Sequence, residues 1–171
     1  MLTDINSDPL ASLNKWMNQK GEKYCIIHEN KSISYSELHN YLIAAGMELQ
    51  NFGEYDTVIL GCNDQFKNLV YGIAALSLGI NIFVPGSVNL HSAFKKLNAQ
   101  GRRVFLLHEQ EKLQAVSPNL YIEELSLKSK LSNEGLENLH LRSGIYLSSS
   151  GTTSRTQKLI FHRPVDLNSM V

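Results

Sequence analysis

Apolar residues recur at helical spacing in some segments of this chain and form short continuous runs in others. Asp8-Pro9 precedes a first helical stripe, and Ser34 with Glu37 has the capping-box spacing that begins a second helix. Between these two stripes, the β-prone runs at 24–28 and 32–35 flank a turn. The pattern therefore predicts a helix, a short hairpin and a second helix in the first fifty residues.

Strand-length apolar runs and amphipathic segments then alternate along the chain. The runs predict strands at 57–61, 80–85, 103–108 and 144–147, with a short strand as one interpretation of NLYIEEL at 119–125. The amphipathic segments predict helices that begin near Asn63 and His91. This order is typical of an α/β fold with a doubly wound, mostly parallel sheet and flanking helices, preceded here by a short N-terminal hairpin. Core packing is expected for the aromatic residues on these stripes and strands, which are Trp16, Tyr41, Phe66, Tyr71 and Phe83.

Composition and charge exclude several classes of function. With 43% hydrophobic and 19% charged residues in 171, one folded domain is expected. Sixteen basic and sixteen acidic side chains balance, and the longest basic runs are pairs, so we expect no nucleic-acid partner. No apolar run approaches the ~20 residues of a membrane span. The first ten residues do not resemble a signal peptide, which favours a cytoplasmic location.

Residue types that often carry chemistry are scattered here. Cys25 and Cys62 lie far apart without CxxC spacing, so buried free thiols are expected. The six histidines show no HxH or HExxH spacing, which predicts no metal site. Asp56 and Asp64 are expected to act as a turn acid and a helix cap.

A hydroxyl-rich segment follows the last predicted strand. Seven of the nine residues from Ser148 to Thr156 carry a hydroxyl, and Arg155 and Lys158 add positive charge. In open α/β sheets ligands bind at the carboxyl ends of strands, and backbone amides around Gly151 can form an anion-binding nest. A Walker A loop is excluded because no second glycine precedes the lysine. A solvated Ser/Thr-rich linker is the competing interpretation.

Three segments, in order, resemble motifs of the adenylate-forming superfamily of acyl-CoA synthetases, luciferases and nonribosomal peptide adenylation domains. SSSGTTSRTQK at 148–158 is similar to its phosphate-binding loop. The stretch 33–60 is similar to its opening motif, with Asp56 at the position of an acid, and 63–87 is similar to the next motif. The resemblance covers most of this chain but only the N-terminal third or so of such an enzyme. It implies a single incomplete domain over 1–171 with a phosphate-loop-like segment at 148–158.

The resemblance implies ATP as cofactor, with Mg²⁺ supplied by the full enzyme, and a carboxylate substrate that becomes an acyl-adenylate. The residues expected to bind the ATP phosphates are Ser149, Ser150, Gly151, Thr152, Thr153 and Lys158. Gln157 is the alternative to Lys158 at the position of the family lysine. Ser154, Thr156 and Leu159 depart from the family pattern, as does one extra residue before Lys158.

No residue of this chain is predicted to be catalytic. In the superfamily that it resembles, the adenine pocket, the metal ligand and the catalytic lysine come from sequence that follows the phosphate-binding loop. We expect an N-terminal fragment or split subunit of an AMP-forming ligase that is inactive alone. Its partner would be a missing C-terminal chain, or a second copy in a homo-oligomer. The uncovered last strand should leave an exposed edge or apolar patch. The alternative is a non-catalytic interaction or scaffold module derived from that fold.

Overall fold

The computed structural model describes residues 8–50, 52–53, 56–85, 90–108, 120–124, 139–149 and 158–164. The helices are α1 (Pro9–Lys20), α2 (Tyr35–Glu48), α3 (Gln65–Ser77) and α4 (Leu90–Asn98). The strands are β1 (Tyr24–His28), β2 (Lys31–Ser34), β3 (Thr57–Leu60), β4 (Asn81–Val84), β5 (Val104–His108), β6 (Leu120–Glu124), β7 (Ile145–Ser149) and β8 (Lys158–His162). Each helix and strand predicted above is present within a few residues of its expected bounds. Within the described ranges, no helix is long and apolar enough to cross a membrane.

The N-terminal hairpin and the capping box are confirmed. β1 and β2 pair antiparallel, and Glu29 and Asn30 adopt positive φ at the turn between them. The amide of Ser34 donates to the Glu37 carboxylate at 2.7 Å, and the Glu37 amide donates to Ser34 Oγ at 3.2 Å. These reciprocal bonds satisfy amides that the first turn of α2 leaves without partners, so α2 begins directly after β2.

The main sheet has six strands in the order β6-β5-β3-β4-β7-β8. The first five strands run parallel to one another, and β8 pairs antiparallel with β7. The mostly parallel α/β architecture is therefore confirmed. β8 was not predicted, although the apolar residues Leu159, Ile160 and Phe161 follow the hydroxyl-rich segment directly.

The two faces of this sheet pack against different helices. Val58, Leu60 and Ile82 join side chains of α1, α2 and α3 in the larger apolar cluster. Ile59 and Phe83, which alternate with them, join side chains of α4 in a smaller cluster. Because consecutive strand residues point to opposite faces, the continuous apolar runs are explained by cover on both sides.

An ion pair between a buried carboxylate and a largely exposed arginine joins the amino ends of β3 and β5. The side chain of Asp56 is 2% exposed, and Arg103 donates to its two carboxylate oxygens from Nε and Nη2, both at 2.8 Å. The amide of Gly53 donates to the same carboxylate at 2.7 Å. Asp56 is thus a structural turn acid, as predicted.

Asp8 anchors α1 to the chain segment before β7. Its carboxylate accepts hydrogen bonds from the amides of Leu10 and Ala11 in the first turn of α1, and from the Leu141 amide at 2.8 Å. Its other contact is His140 Nδ1 at 3.2 Å. Partial burial raises the pKa of Asp8, but these hydrogen bonds outweigh burial and hold the pKa below its usual value.

The prediction that all five aromatic residues pack in the core is wrong for Trp16. Phe66, Tyr71 and Phe83 are buried, and Tyr41 is partly buried against the same core. Trp16 is 47% exposed, since α1 turns Leu10 and Met17 rather than Trp16 toward the core. Its ring instead lies 5.4 Å from Lys20 Nζ.

Candidate functional site

The hydroxyl-rich segment begins at the edge of the sheet where ligands bind in such folds. β7 is parallel to β3, β4 and β5, so its last residue, Ser149, lies at their common carboxyl edge. The sequence analysis predicted this placement from the apolar run that precedes the segment. Position therefore favours a binding role over a solvated linker.

The structure brings together two of the six predicted phosphate-binding residues. Ser149 and Lys158 are register partners at the end of the β7–β8 pair. The other four, Ser150, Gly151, Thr152 and Thr153, lie outside the described residues, as does the alternative Gln157. The segment 150–157 thus connects two adjacent backbone positions, and the phosphate-binding roles of all six residues stay predictions.

Gly144 allows β8 to approach β7 closely. A β-carbon at Gly144 would clash with the carbonyl oxygen of His162 and lie 2.5 Å from Cζ of the Phe161 ring. The Phe161 ring packs on Tyr146 with 4.5 Å between centroids. Burial raises the pKa of Tyr146, while the nearby Arg102 opposes the shift. This packing holds the β7–β8 pair at the end opposite to the hydroxyl-rich segment.

An exposed apolar row crosses three strands beside that segment. Val84, Leu147 and Ile160 are paired in register across β4, β7 and β8, so their side chains share one face of the sheet. They are 42%, 40% and 44% exposed. The row matches the expected apolar patch, and Val84 shows that the apolar run of β4 is not buried along its whole length.

A groove of about 410 Å³ continues from the apolar row along α3. Its lining is mainly aliphatic and includes Leu69, Ile73 and Val84, with Gln65 and Asn68 as polar members. Leu69 on α3 is 45% exposed. The row and the groove form one surface, which we call the apolar face.

Other candidate residues have structural roles. Asp64 caps α3 as predicted, accepting from the Phe66 amide at 2.8 Å, and lies 3.0 Å from His28 Nε2. Neither cysteine forms a disulfide; Cys62 is buried and Cys25 partly buried. Burial raises the pKa of the Cys25 thiol, which therefore has little thiolate character at neutral pH. In the parts of the chain described above, no three His, Cys, Asp or Glu side chains form a group suited to a metal ion.

Comparisons with known proteins give structural relatives only. No family model and no curated protein sequence match the chain. The N-terminal subdomain of Klebsiella oxytoca NpsA is similar with a TM-score of 0.68 and 14% identity, over 94% of this chain and 43% of that one. A double mutant of o-succinylbenzoate CoA synthetase (MenE) from Bacillus subtilis, bound to the product analogue OSB-NCoA, has a TM-score of 0.66 at 16% identity. That match covers 92% of this chain and 33% of the synthetase.

A further MenE structure contains the acyl-adenylate intermediate OSB-AMP. It is similar with a TM-score of 0.62 and 18% identity, over 86% of this chain and 40% of that one. The chain therefore spans between a third and a little over two fifths of the structures it resembles. At sequence identities of 14–18%, the structural similarity establishes the fold of this chain alone.

Proposed function

From the premise that this chain has the fold of the N-terminal part of adenylate-forming enzymes, we propose that it is the phosphate-binding part of an ATP-dependent, AMP-forming ligase. Residues 1–171 then form one incomplete domain, in which 148–158 binds the ATP phosphates. The observation that carries the proposal is that Ser149 and Lys158, which bound 150–157, are register partners at the carboxyl end of β7.

The chemistry of the segment suits a triphosphate. Its hydroxyls and closely spaced amides can donate to phosphate oxygens, and Gly151 has no side chain to obstruct their approach. The backbone of Lys158 lies opposite that of Ser149 at the end of the β7–β8 pair. Its ammonium group is the positive charge that we propose for the phosphates. The role proposed for these residues is to hold and orient ATP.

The reaction of the whole ligase is a substitution at phosphorus. A carboxylate oxygen of the substrate bonds to the α-phosphorus while the bond from that phosphorus to the bridging oxygen breaks. Pyrophosphate leaves with the electron pair, and an acyl-adenylate remains. We assign no residue of the described ranges to the Mg²⁺ expected in the whole ligase, because none of their acidic and imidazole groups cluster suitably. Elements from outside this chain would complete the site, as the share of the relatives that it spans indicates.

ATP binding to this chain is the direct test. Isothermal titration of the wild type should give saturable binding, and Lys158→Met should weaken it roughly 10- to 100-fold, because a hydrogen bond to a charged group contributes about 1.5–3 kcal/mol. Lys95→Met is the matched control, since Lys95 is exposed on α4 and lies outside segment 148–158. Equal weakening by both variants, or no saturable binding in the wild type, would contradict the proposal.

Exchange of radiolabelled pyrophosphate into ATP tests completeness. This chain alone should give no exchange, and a polypeptide that contains it together with the rest of the ligase should exchange when the carboxylate substrate is present. Exchange by this chain alone would refute the view that it is only part of the site.

The apolar face supports a second proposal, that this surface is covered by protein. We propose that the remaining part of the ligase covers the apolar face, because the structural relatives extend well beyond the length that this chain spans. Leu147→Lys should leave this chain as stable as the wild type and weaken its assembly with the rest of the ligase. A stable homodimer in sedimentation velocity that Leu147→Lys dissociates, with no ATP binding, would instead favour the non-catalytic interaction module.

A further inference from the structure

A second cavity lies at the opposite edge of the sheet, where β4 and β7 begin and β8 ends. Its volume is about 280 Å³. Its lining includes Asn81, Gly144 and Phe161, together with Arg102 and Arg142. Among the residues that the structure describes, no aspartate or glutamate belongs to the lining. The described part of the cavity thus has two basic residues and no acidic one.

The charge of the neighbouring Arg103, by contrast, is neutralised by a carboxylate. Arg103 donates twice to the Asp56 carboxylate. The Arg102 guanidinium lies over the rings of Tyr146 and Phe161, 5.7 and 5.9 Å from their centroids. Within the described ranges, neither Arg102 nor Arg142 forms an ion pair with a carboxylate.

The other polar groups of the cavity already have partners in the protein. Asn81 is buried, and its Oδ1 accepts from the Gly144 amide at 3.2 Å. Ser143 Oγ donates to the carbonyl of Ile80 at 2.6 Å. The close packing of Phe161 on Gly144 fixes one wall. The guanidinium groups are therefore the donors that this cavity offers to a ligand.

We propose that this cavity binds a small ligand through a phosphate group, with Arg102 and Arg142 as its donors. The planar guanidinium fork matches the oxygens of a phosphate, and two positive charges balance its two negative charges. The volume accommodates a phosphate with a small attached group, for which the Phe161 ring supplies an apolar contact. The site lies across the sheet from segment 148–158 and does not depend on the function proposed for that segment.

Titrations with inorganic phosphate and with phenyl phosphate test this site. In ¹H–¹⁵N NMR spectra of the wild type, both probes should shift the amide of Gly144 and the side-chain amide of Asn81 saturably. Tighter binding of phenyl phosphate identifies a phosphate ester as the ligand type, and equal binding identifies free phosphate. Acetate, with a single charge, should bind at least tenfold more weakly than phosphate. No saturable shift of these resonances with either phosphate probe would overturn the proposal.

Substitutions separate this site from general electrostatics. Arg102→Gln and Arg142→Gln should each weaken phosphate binding at least tenfold, and Lys95→Gln, on exposed surface outside the cavity, should leave it unchanged. Equal effects of all three substitutions would also refute the proposal. Because ATP is expected to bind at 148–158, Arg102→Gln should not alter ATP affinity, so failure at one site is distinguishable from failure at the other. The wild-type shifts decide the outcome even if a variant proves unstable.

Discussion

Removing Arg103 should destabilise this protein more than neutralising its partner Asp56. The Asp56 carboxylate is 2% exposed, whereas the Arg103 side chain is 61% exposed. Arg103→Met leaves a buried negative charge whose remaining described hydrogen bond comes from the Gly53 amide at 2.7 Å. Asp56→Asn leaves a positive charge that water can solvate. The two substitutions break the same pair but leave very different groups behind.

The burial of each partner sets the expected magnitudes. A buried charge that loses its partner costs about 3–5 kcal/mol, which we expect for Arg103→Met. Asp56→Asn keeps an acceptor for the Gly53 amide and loses two charge-assisted hydrogen bonds, so we expect about 2 kcal/mol. For a domain with a total stability of about 5–15 kcal/mol, both losses are readily measured.

Urea unfolding followed by circular dichroism measures these free energies. The m-value should stay constant across the variants, so that differences in midpoint report stability. Lys95→Met, an exposed substitution on α4, should change the free energy of unfolding by less than about 0.5 kcal/mol. An Arg103→Met variant no less stable than Asp56→Asn would refute the argument that the buried carboxylate dominates the pair.

Four further substitutions test other parts of the fold. Asp8→Asn should destabilise at pH 7, and its difference from the wild type should shrink below about pH 4 in acid-unfolding titrations, because a lowered native pKa gives stability that is lost as Asp8 is protonated. Gly144→Ala should lower the free energy of unfolding in urea by about 3 kcal/mol, because the new β-carbon would clash with the backbone of His162. Gly101→Ala should cost only about 1 kcal/mol, because the space around Gly101 is open and only its φ of +74° disfavours a side chain. Equal losses for the two variants would contradict this explanation. Burial and the nearby Glu48 raise the pKa of Tyr71 in the folded protein. As the pH rises, the Tyr71 hydroxyl therefore loses its proton in the unfolded state before it does in the folded state, and stability should fall above about pH 10. Tyr71→Phe should reduce that alkaline fall, and an unchanged pH profile would argue against it.

Local sequence patterns predicted most of the fold because the energies that form its elements act over short distances. The capping box at Ser34 and the Asp64 cap lie within a few residues of the helices they begin. The pair of Asp56 with Arg103 spans 47 positions, and no local pattern indicates it. Trp16 was misplaced since helical spacing alone does not say which part of an apolar stripe meets the core.

The candidate site was predicted less completely than the fold. Its position followed from the apolar run of β7, but β8 was missed because a short run after a polar segment can be strand or loop. Register placed Ser149 opposite Lys158, which spacing along the chain cannot reveal. The exposure of Val84 depends on whether other residues cover that face of the sheet. A continuous apolar run predicts that both faces are covered but does not identify what covers them.

The close fit of Gly144 against Phe161 and His162 has a consequence for how this protein can change over evolution. It fixes the pairing of β7 and β8 at one end, so the length of the connection at the other end can vary without shifting the register. A residue added to or removed from 150–157 is therefore a change that the sheet tolerates. Selection can tune the spacing between the hydroxyl-rich stretch and Lys158 independently of the scaffold, and mutations at Gly144 would remove that freedom.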